Sequence, residues 1–248
     1  MNIVIDTNVV FQSGGRLLQG PAWDLVKAFL DAGEGKLFVP NLVLRESAKK
    51  YKDRVSDLIT NIQKDVRRLN GYLSESAQCE APEIDIDREV KLYEEQLRQR
   101  LRDLDAECPQ HEEVTLEDML SRRLAEKKPF TAQGGGVRDA TIWEVILNKI
   151  VTRDTVTAFI SADASDFGDG NGGGNFELHK DLRKDLGERG LPTGSVEIFR
   201  SITDFSDKHV KPMLRECEEA SRLVESERFP LNIPDFVEEH FDAMYDEI

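Results

Sequence analysis

Cysteine and histidine are scarce in this sequence, and neither forms a motif. The three cysteines (Cys79, Cys108 and Cys217) include no CxxC pair, and the four histidines are dispersed. A disulfide framework and a zinc site are therefore not supported. Long apolar runs are also missing, since none approaches the roughly 18 residues of a membrane span. The N-terminal stretch MNIVIDTNVVF lacks a basic segment, so we expect a first strand rather than a signal peptide, and a cytoplasmic protein.

Positive charge is the minority sign: 33 Lys and Arg residues stand against 48 Asp and Glu, for a net charge of −15. From Met213 to Ile248, eleven acids face three arginines, so this stretch alone carries −8. The acidity argues against nucleic acid as a partner but does not exclude it. We predict a main domain over residues 1–212 and an acidic helical extension over 213–248. Its last helix, from about residue 233, would pack on its own domain, a second copy or a partner protein.

Short apolar segments alternate with helical patterns along most of the chain. The segments at residues 3–5, 36–39, 156–161 and 196–199 predict strands, and the intervening periodicity predicts helices. This alternation is typical of a three-layer α/β/α domain with a mainly parallel central sheet. Residues 168–175 are rich in glycine but match neither an EF-hand nor a P-loop, so we predict a loop bordering a site.

Between about residues 53 and 128 the texture changes to long, highly charged helices. An apolar stripe runs along each of two helical stretches: Leu58, Ile62, Val66 and Leu69 in the first, and Val90, Tyr93, Leu97, Leu101 and Leu104 in the second. This segment predicts an antiparallel helical hairpin or small bundle inserted into the α/β domain. Basic residues form three local groups within it. They are Lys64, Arg67 and Arg68; Arg98, Arg100 and Arg102; and Arg122, Arg123, Lys127 and Lys128. Such groups are either solvated helix faces or a surface for an anionic partner.

Acids follow two of the predicted strands. Asp6 comes directly after the first strand, and Asp163 and Asp166 come just after the third. Sites in open parallel sheets form outside the carboxyl ends of the strands. Asp6 can also be a simple turn former, and acids three residues apart can cap a loop.

Two further acids belong to predicted helices. Glu46 shares a helical face with Leu42 and Val43, although Lys49 and Lys50 offer it ordinary ion pairs. Asp139 begins an apolar stripe in the first turn of its helix, where a helix-dipole role is the alternative. The stripe continues through Ile142, Trp143, Ile146, Leu147 and Ile150. Converging carboxylates repel one another unless a cation lies among them, and oxygen-only ligands favour Mg²⁺ or Mn²⁺.

The segments IDTNVVF, GVRDATIWEVIL and FISADASDFG, together with Glu46, resemble the ordered acidic motifs of PIN-domain nucleases. The chain most resembles a bacterial subgroup with a long helical insertion between the second and third acids. The resemblance covers most of residues 1–200. It matches Asp6, Glu46 and Asp139 with the first three acids of the family. One extra residue separates Asp163 from Asp166, so the fourth acid is open between them.

We favour Asp163 as a ligand and Asp166 as a supporting or alternate ligand. Thr7, Asn8 and Ser161 match polar positions that support the acids. The resemblance implies hydrolysis of phosphodiester bonds dependent on Mg²⁺ or Mn²⁺, with RNA favoured over DNA, in an endoribonuclease that serves as a toxin or an antiviral defence effector. We expect substrate phosphates to contact Arg98, Arg100, Arg102 and Arg138. A structure-specific DNA nuclease and a noncatalytic regulatory module are the alternatives, and a protein inhibitor or a homo-oligomer stays open.

Overall fold

The computed structural model describes residues 1–11, 17–130, 135–169 and 176–216. The glycine-rich residues 170–175 and the helix predicted from residue 233 lie outside these ranges. The chain forms two compact units, Met1–Ser206 and Asp207–Ile248, and the first contains every strand named below. The domain boundary that we expect at residue 212 stays a prediction.

A four-stranded parallel sheet forms the centre of the first unit, in the order β2-β1-β3-β6. Its strands are β1 (Asn2–Ile5), β2 (Lys36–Phe38), β3 (Thr157–Ile160) and β6 (Val196–Phe199). A separate antiparallel pair joins β4 (Gly168–Asp169) to β5 (Glu177–Leu178). The predicted α/β fold with a parallel central sheet is confirmed.

The two middle strands carry the core of the sheet. Ile3, Val4 and Ile5 in β1 and Ala158, Phe159 and Ile160 in β3 are fully buried. Such continuous apolar runs are typical of parallel strands that helices cover on both faces. The chain leaves β1 for β2 on one side and returns to β3 on the other, so the strand order reverses between β1 and β3.

Helices flank the sheet. They are α1 (Thr7–Val10), α2 (Pro21–Asp31), α3 (Asn41–Asn70), α4 (Ile86–Asp103), α5 (Leu116–Leu124), α6 (Val137–Val145), α7 (Ala164–Phe167), α8 (Lys180–Glu188) and α9 (Ile202–Phe205). Wider π-type turns follow α6 over Ile146–Ile150 and α9 over Ser206–Val210. Of the helices described, none has both the length and the apolar character that crossing a membrane requires.

The long helices α3 and α4 pack as the predicted hairpin. Tyr51 stacks on Tyr93 with ring centroids 4.3 Å apart, and Lys52 pairs with Asp87 at 2.7 Å. Because α3 is continuous from Asn41, no structural break marks the expected start of the insertion at residue 53.

The two apolar stripes predicted on the hairpin differ in burial. The stripe on α4 is buried at Tyr93, Leu97 and Leu101, and it continues to Leu104 just past the helix. On α3, Leu58, Ile62 and Leu69 are between 42% and 49% exposed, so the outer half of this helix has no core. The hairpin is anchored through α4 and the first turns of α3.

Candidate active site

The first predicted acid lies where the strand order of the sheet reverses. Asp6 directly follows β1, and Ser161 directly follows the neighbouring strand β3. The Asp6 backbone N–H donates to the Ile160 carbonyl at 3.0 Å, and Ser161 Oγ donates to Asp6 Oδ2 at 2.8 Å. Open parallel sheets bind ligands in this crevice, outside the carboxyl ends of the strands. Asp6 and Ser161 therefore occupy the position where this fold forms sites.

The Asp6 carboxylate is buried and held in one orientation. It caps α1 by accepting from the Thr7 backbone N–H at 2.6 Å. Burial raises the pKa of this carboxyl, while the hydrogen bonds from Ser161 and Thr7 oppose the rise. A carboxylate can accept about four hydrogen bonds. Asp6 can therefore form its turn and still offer oxygens to a ligand.

The second acid, Glu46, comes from the start of α3 and is tied to the same edge of the sheet. Thr7 Oγ1 donates to Glu46 Oε2 at 2.8 Å, and the side chain of Glu46 is only 10% exposed. Two cations approach the other oxygen: Lys50 at 3.7 Å, and Arg138 in a close hydrogen-bonded pair. The ion pair with Lys50 that the sequence offered is thus present, whereas Lys49 pairs with Asp53.

The third acid, Asp139, lies in the first turn of α6. Gly136 starts this helix with φ of 102°, and a side chain there would put Cβ 2.4 Å from the Pro129 carbonyl oxygen. Glycine is therefore required where the helix enters the site. The predicted stripe is confirmed, since Ile142, Trp143, Ile146, Leu147 and Ile150 are all buried.

The carboxylate of Asp139 lies in surroundings that disfavour its charged form. Burial, and then the charges of the other predicted acids, together raise its pKa to about 6. Those acids are Asp6, Asp166, Glu46 and Asp163. Within the residues that the structure describes, no hydrogen bond or ion pair holds this carboxylate. The fold thus brings all five predicted acids together, and we refer to these five residues as the carboxylate cluster.

Of the last two acids, Asp163 directly precedes the short helix α7 and Asp166 lies within it. Ser161 Oγ accepts from the Asp163 backbone N–H at 3.1 Å, and Asp163 Oδ1 accepts from the Asp166 N–H at 3.3 Å. Asp163 therefore also has the capping role that its spacing left open. Asp166 is 14% exposed and lies 3.8 Å from Lys128 Nζ. Which of the two is the fourth ligand stays a prediction.

The cluster suits a divalent cation by charge and donor type. Its donors are carboxylate oxygens, which hard cations such as Mg²⁺ and Mn²⁺ prefer. Asp139, which lies among like charges and has no bonding partner in the described part of the chain, is in the electrostatic setting that a cation relieves. Among the described residues, no three acidic, thiol or imidazole side chains are close enough to hold one ion as they stand. Binding would thus require side-chain adjustment, first at Glu46, which the protein's own cations now engage.

The predicted supporting and substrate residues fall into two groups. Asn8 accepts from Lys50 at 2.9 Å, and Arg138 pairs with Glu46, so both residues lie beside the carboxylate cluster. On α4, Arg98 is exposed, Arg100 donates to the Leu18 carbonyl at 3.1 Å, and Arg102 donates to Gln99 at 2.5 Å. Substrate contact by these arginines stays a prediction, and Arg100 has a structural partner.

Sequence reasoning missed two cations of this site. Lys50 was considered only as a partner of Glu46, yet it also bonds Asn8. Lys128 was grouped with the charged helix faces, yet its amine lies beside Asp166. The spacing of four residues from Glu46 was a usable signal for Lys50. No local pattern places Lys128 near an acid 38 residues further along the chain.

The fold and the acids define an α/β protein with a carboxylate cluster at the place where the strand order of its parallel sheet reverses. A family model described as a PIN domain matches residues 3–167, which is more than half of the chain and includes all five acids. The chain therefore belongs to the PIN-domain family. No curated protein and no solved structure gives a significant match.

Proposed function

We propose that this protein hydrolyses phosphodiester bonds of RNA with the help of Mg²⁺ or Mn²⁺. The observation that carries the proposal is the carboxylate of Asp139, which has no bonding partner among the described residues and a pKa raised to about 6 by burial and by four neighbouring acids. Strongly perturbed acids in a crevice are typical of functional sites. Membership of the PIN-domain family supports nuclease activity.

The acids divide the work of holding the cation. Asp6, Glu46, Asp139 and Asp163 would supply its oxygen ligands, with Asp166 as a supporting or alternate ligand. When bound, such a cation supplies Lewis acidity, which acidifies water and offsets charge on the phosphate.

Supporting residues keep the acids preorganised for that role. Ser161 and the Thr7 backbone N–H fix the two oxygens of Asp6, and the Thr7 hydroxyl fixes one oxygen of Glu46. Preorganised groups of this kind lower the cost of reaching the reactive geometry. Arg138 is 60% exposed, so its guanidinium can also reach a phosphate at the mouth of the crevice.

Three substrates or roles compete, and one assay separates them. Labelled RNA and DNA of one sequence, each as a single strand and as a branched duplex, are incubated with wild-type protein in Mg²⁺, in Mn²⁺ and in EDTA. We expect metal-dependent cleavage of RNA. Preferential cleavage of DNA would instead support the structure-specific DNA nuclease. Cleavage of neither substrate, by folded protein with metal, would support a noncatalytic module and overturn the proposal.

A matched pair of variants attributes the activity to the site. Asp139→Asn should slow hydrolysis more than about 100-fold, because loss of residues merely outside the ligand shell already costs about 10- to 100-fold. Asp154→Asn is the control, since Asp154 is exposed and lies before β3, away from the carboxyl ends of the strands. Equal rates for the two variants would point to a contaminating nuclease.

The biological setting follows from what such cleavage does. Unrestrained cleavage of essential cellular RNA would arrest growth, so a toxin or an antiviral defence effector is the role we favour. Such an enzyme needs restraint, which a protein inhibitor would provide. Induced expression of wild-type protein should then stop growth, while Asp139→Asn should not. Normal growth with active enzyme would exclude the toxin role but not the hydrolase.

A further inference from the structure

A lysine outside the predicted site is placed beside the carboxylate cluster. Lys128 Nζ lies 3.8 Å from Asp166 Oδ1, and its side chain is 28% exposed. The separation exceeds that of a hydrogen bond, while the attraction between the charges persists. Lys128 therefore faces the acids and is still reached by solvent.

The backbone of Lys128 is held on both sides. Its N–H donates to Asp181 Oδ2 at 3.0 Å, and its carbonyl accepts from Arg122 Nη1 at 2.6 Å. The next residue, Pro129, packs against Gly136, where the chain enters the helix of Asp139. Lys128 thus has a fixed position relative to the third acid.

Arg122 is itself a firm anchor because it is buried and paired. Its guanidinium donates to Glu144 at 2.8 Å and to Asp185 at 2.7 Å, and the residue is 7% exposed. Trp143 donates to the same Asp185 at 2.9 Å. We refer to these residues, with Arg189, as the Arg122 cluster. A group bonded this way on several sides cannot shift without breaking buried hydrogen bonds.

An anionic substrate has an electrostatic problem at this site. Each nucleotide brings a negative phosphate towards five acids, and the whole chain is also negative. Two nearby cations, Lys50 and Arg138, already pair with Glu46. A further cation beside another acid, Asp166, would offset the repulsion for a phosphate bound next to it. The ammonium group of lysine provides three donors and suits a phosphate oxygen.

We propose that Lys128 binds a phosphate of the nucleic-acid backbone next to the bond that is cleaved, and that the Arg122 cluster holds it in place for this contact. This inference rests on the proposed function. It adds a substrate-binding residue and a positioning residue, Arg122, to the predicted site.

Neighbouring lysines allow a matched test. Lys127 is 26% exposed, almost the same as Lys128, but it pairs with Glu188 at 3.3 Å and with Asp185 at 3.5 Å. Arg122 and Trp143 bond Asp185 more closely, so the Arg122 cluster does not depend on Lys127. Lys128→Gln, Lys128→Arg and Lys127→Gln are compared in steady-state cleavage of short single-stranded RNA over a range of salt. We expect Lys128→Gln to raise KM and lower kcat/KM about tenfold. The salt dependence should become shallower by about one, as loss of one phosphate contact requires. Lys128→Arg should restore most of the lost kcat/KM and of the salt dependence, and Lys127→Gln should match wild type in both.

Other results would overturn the assignment. Equal KM and salt dependence in Lys128→Gln and Lys127→Gln would rule out the phosphate contact. So would a Lys128→Gln variant in which only the Mn²⁺ concentration needed for half-maximal rate changes, because Lys128 would then act only as a counter-charge for the acids.

A binding measurement keeps this test separate from the proposed function. Fluorescein-labelled RNA is titrated with each folded variant in the Asp139→Asn background. If wild-type protein cleaves nothing but binds RNA, and Lys128→Gln weakens that binding, the hydrolase fails and the phosphate contact holds. If cleavage occurs and Lys128→Gln binds as tightly as Lys127→Gln, the phosphate contact fails and the hydrolase holds. For Arg122, Arg122→Lys should raise KM with little change in kcat, whereas a purely structural role would lower only the folded fraction.

Discussion

Helix α6 contributes one acid to each of two groups of buried charge, and the protein treats the two groups differently. Glu144 belongs to the Arg122 cluster, where Arg122 lies 2.8 Å from one of its oxygens and Arg189 lies 2.9 Å from the other. Asp139, five residues earlier on the same helix, belongs to the carboxylate cluster and has no such partner among the described residues. Both carboxyl groups are at least half-buried. Among the described residues, cations bond that of Glu144 but not that of Asp139.

This contrast shows which buried acids indicate chemistry. In the Arg122 cluster, acids meet arginines and a tryptophan N–H, which offsets the cost of removing them from water. In the carboxylate cluster, the ion pairs that the described residues show lie beside two of the five acids, with Lys50 and Arg138 at Glu46 and Lys128 at Asp166. The excess of one sign leaves Asp139 with a raised pKa. Unbalanced charge, rather than burial alone, therefore marks the candidate active site.

The largest expected effect comes from removing the central cation of the Arg122 cluster. Arg122→Met should lower the free energy of unfolding by about 3–5 kcal/mol, because it leaves Glu144 and Asp185 buried without their shared partner. The same substitution at Arg138, whose side chain is 60% exposed, should cost no more than about 1 kcal/mol. Urea unfolding of both variants measures the difference. Similar losses would show that the two clusters are not distinguished by how the protein balances their charge.

The next expected effect concerns Asp166, whose charge is partly balanced by Lys128. Lys128 faces Asp166, as arginines face the acids of the Arg122 cluster, so we take Asp166 as the supporting group. We expect Asp163→Asn to slow metal-dependent cleavage at least about tenfold more than Asp166→Asn, the difference between a ligand and a supporting group. Rates at saturating RNA with varied Mn²⁺ give the comparison. The reverse ranking would make Asp166 the fourth ligand.

A smaller effect follows from the raised pKa of Asp139. Its carboxyl has a pKa of about 6 in the folded protein against 3.8 ordinarily, so the folded state binds more protons between these values. Stability of the metal-free protein should therefore fall as the pH rises from about 4 to about 6. Asp139→Asn should remove this pH dependence of stability and raise the free energy of unfolding by on the order of 1 kcal/mol at neutral pH. The gain is no larger because solvent screens the charge of a half-buried group. Thermal unfolding of both proteins in EDTA tests this, and identical pH profiles would contradict it.

The parts of the fold that periodicity controls were predictable. The four strands of the sheet were each expected, and so was the apolar face of α6, because burial on one side leaves a repeat in the sequence. Asp6 and Asp163 could be placed at one edge because parallel strands end together. These rules concern neighbours in the chain or in the sheet.

Contacts between distant segments were not predictable. Arg122 looked like part of a solvated basic helix face, yet it is among the most buried charged residues described. Its partners, Glu144 and Asp185, are 22 and 63 residues away, and no spacing rule connects them. The exposed outer half of α3 shows the opposite error, since an apolar stripe indicates burial only when a partner covers it.

The smallest expected effect tests how far basic residues outside the carboxylate cluster offset its charge. Arg98 and Arg102 lie one turn apart near the end of α4, while Arg100 bonds the Leu18 carbonyl and is left intact. Changing Arg98 and Arg102 to Glu should weaken RNA binding several-fold and make its salt dependence shallower by about two, if each contacts a phosphate. Titration of labelled RNA over a range of salt measures both.

A control at the other end of the hairpin separates contact from net charge. Arg67 and Arg68 are exposed in the last turn of α3, roughly 30 Å along that helix from Glu46. Changing them to Glu alters the net charge of the protein by the same amount, but at this distance, beyond a Debye length of about 8–10 Å, it should leave RNA binding almost unchanged. Equal weakening by both pairs would mean that only the overall charge matters. Unchanged binding in both would confine substrate contact to the residues of the crevice.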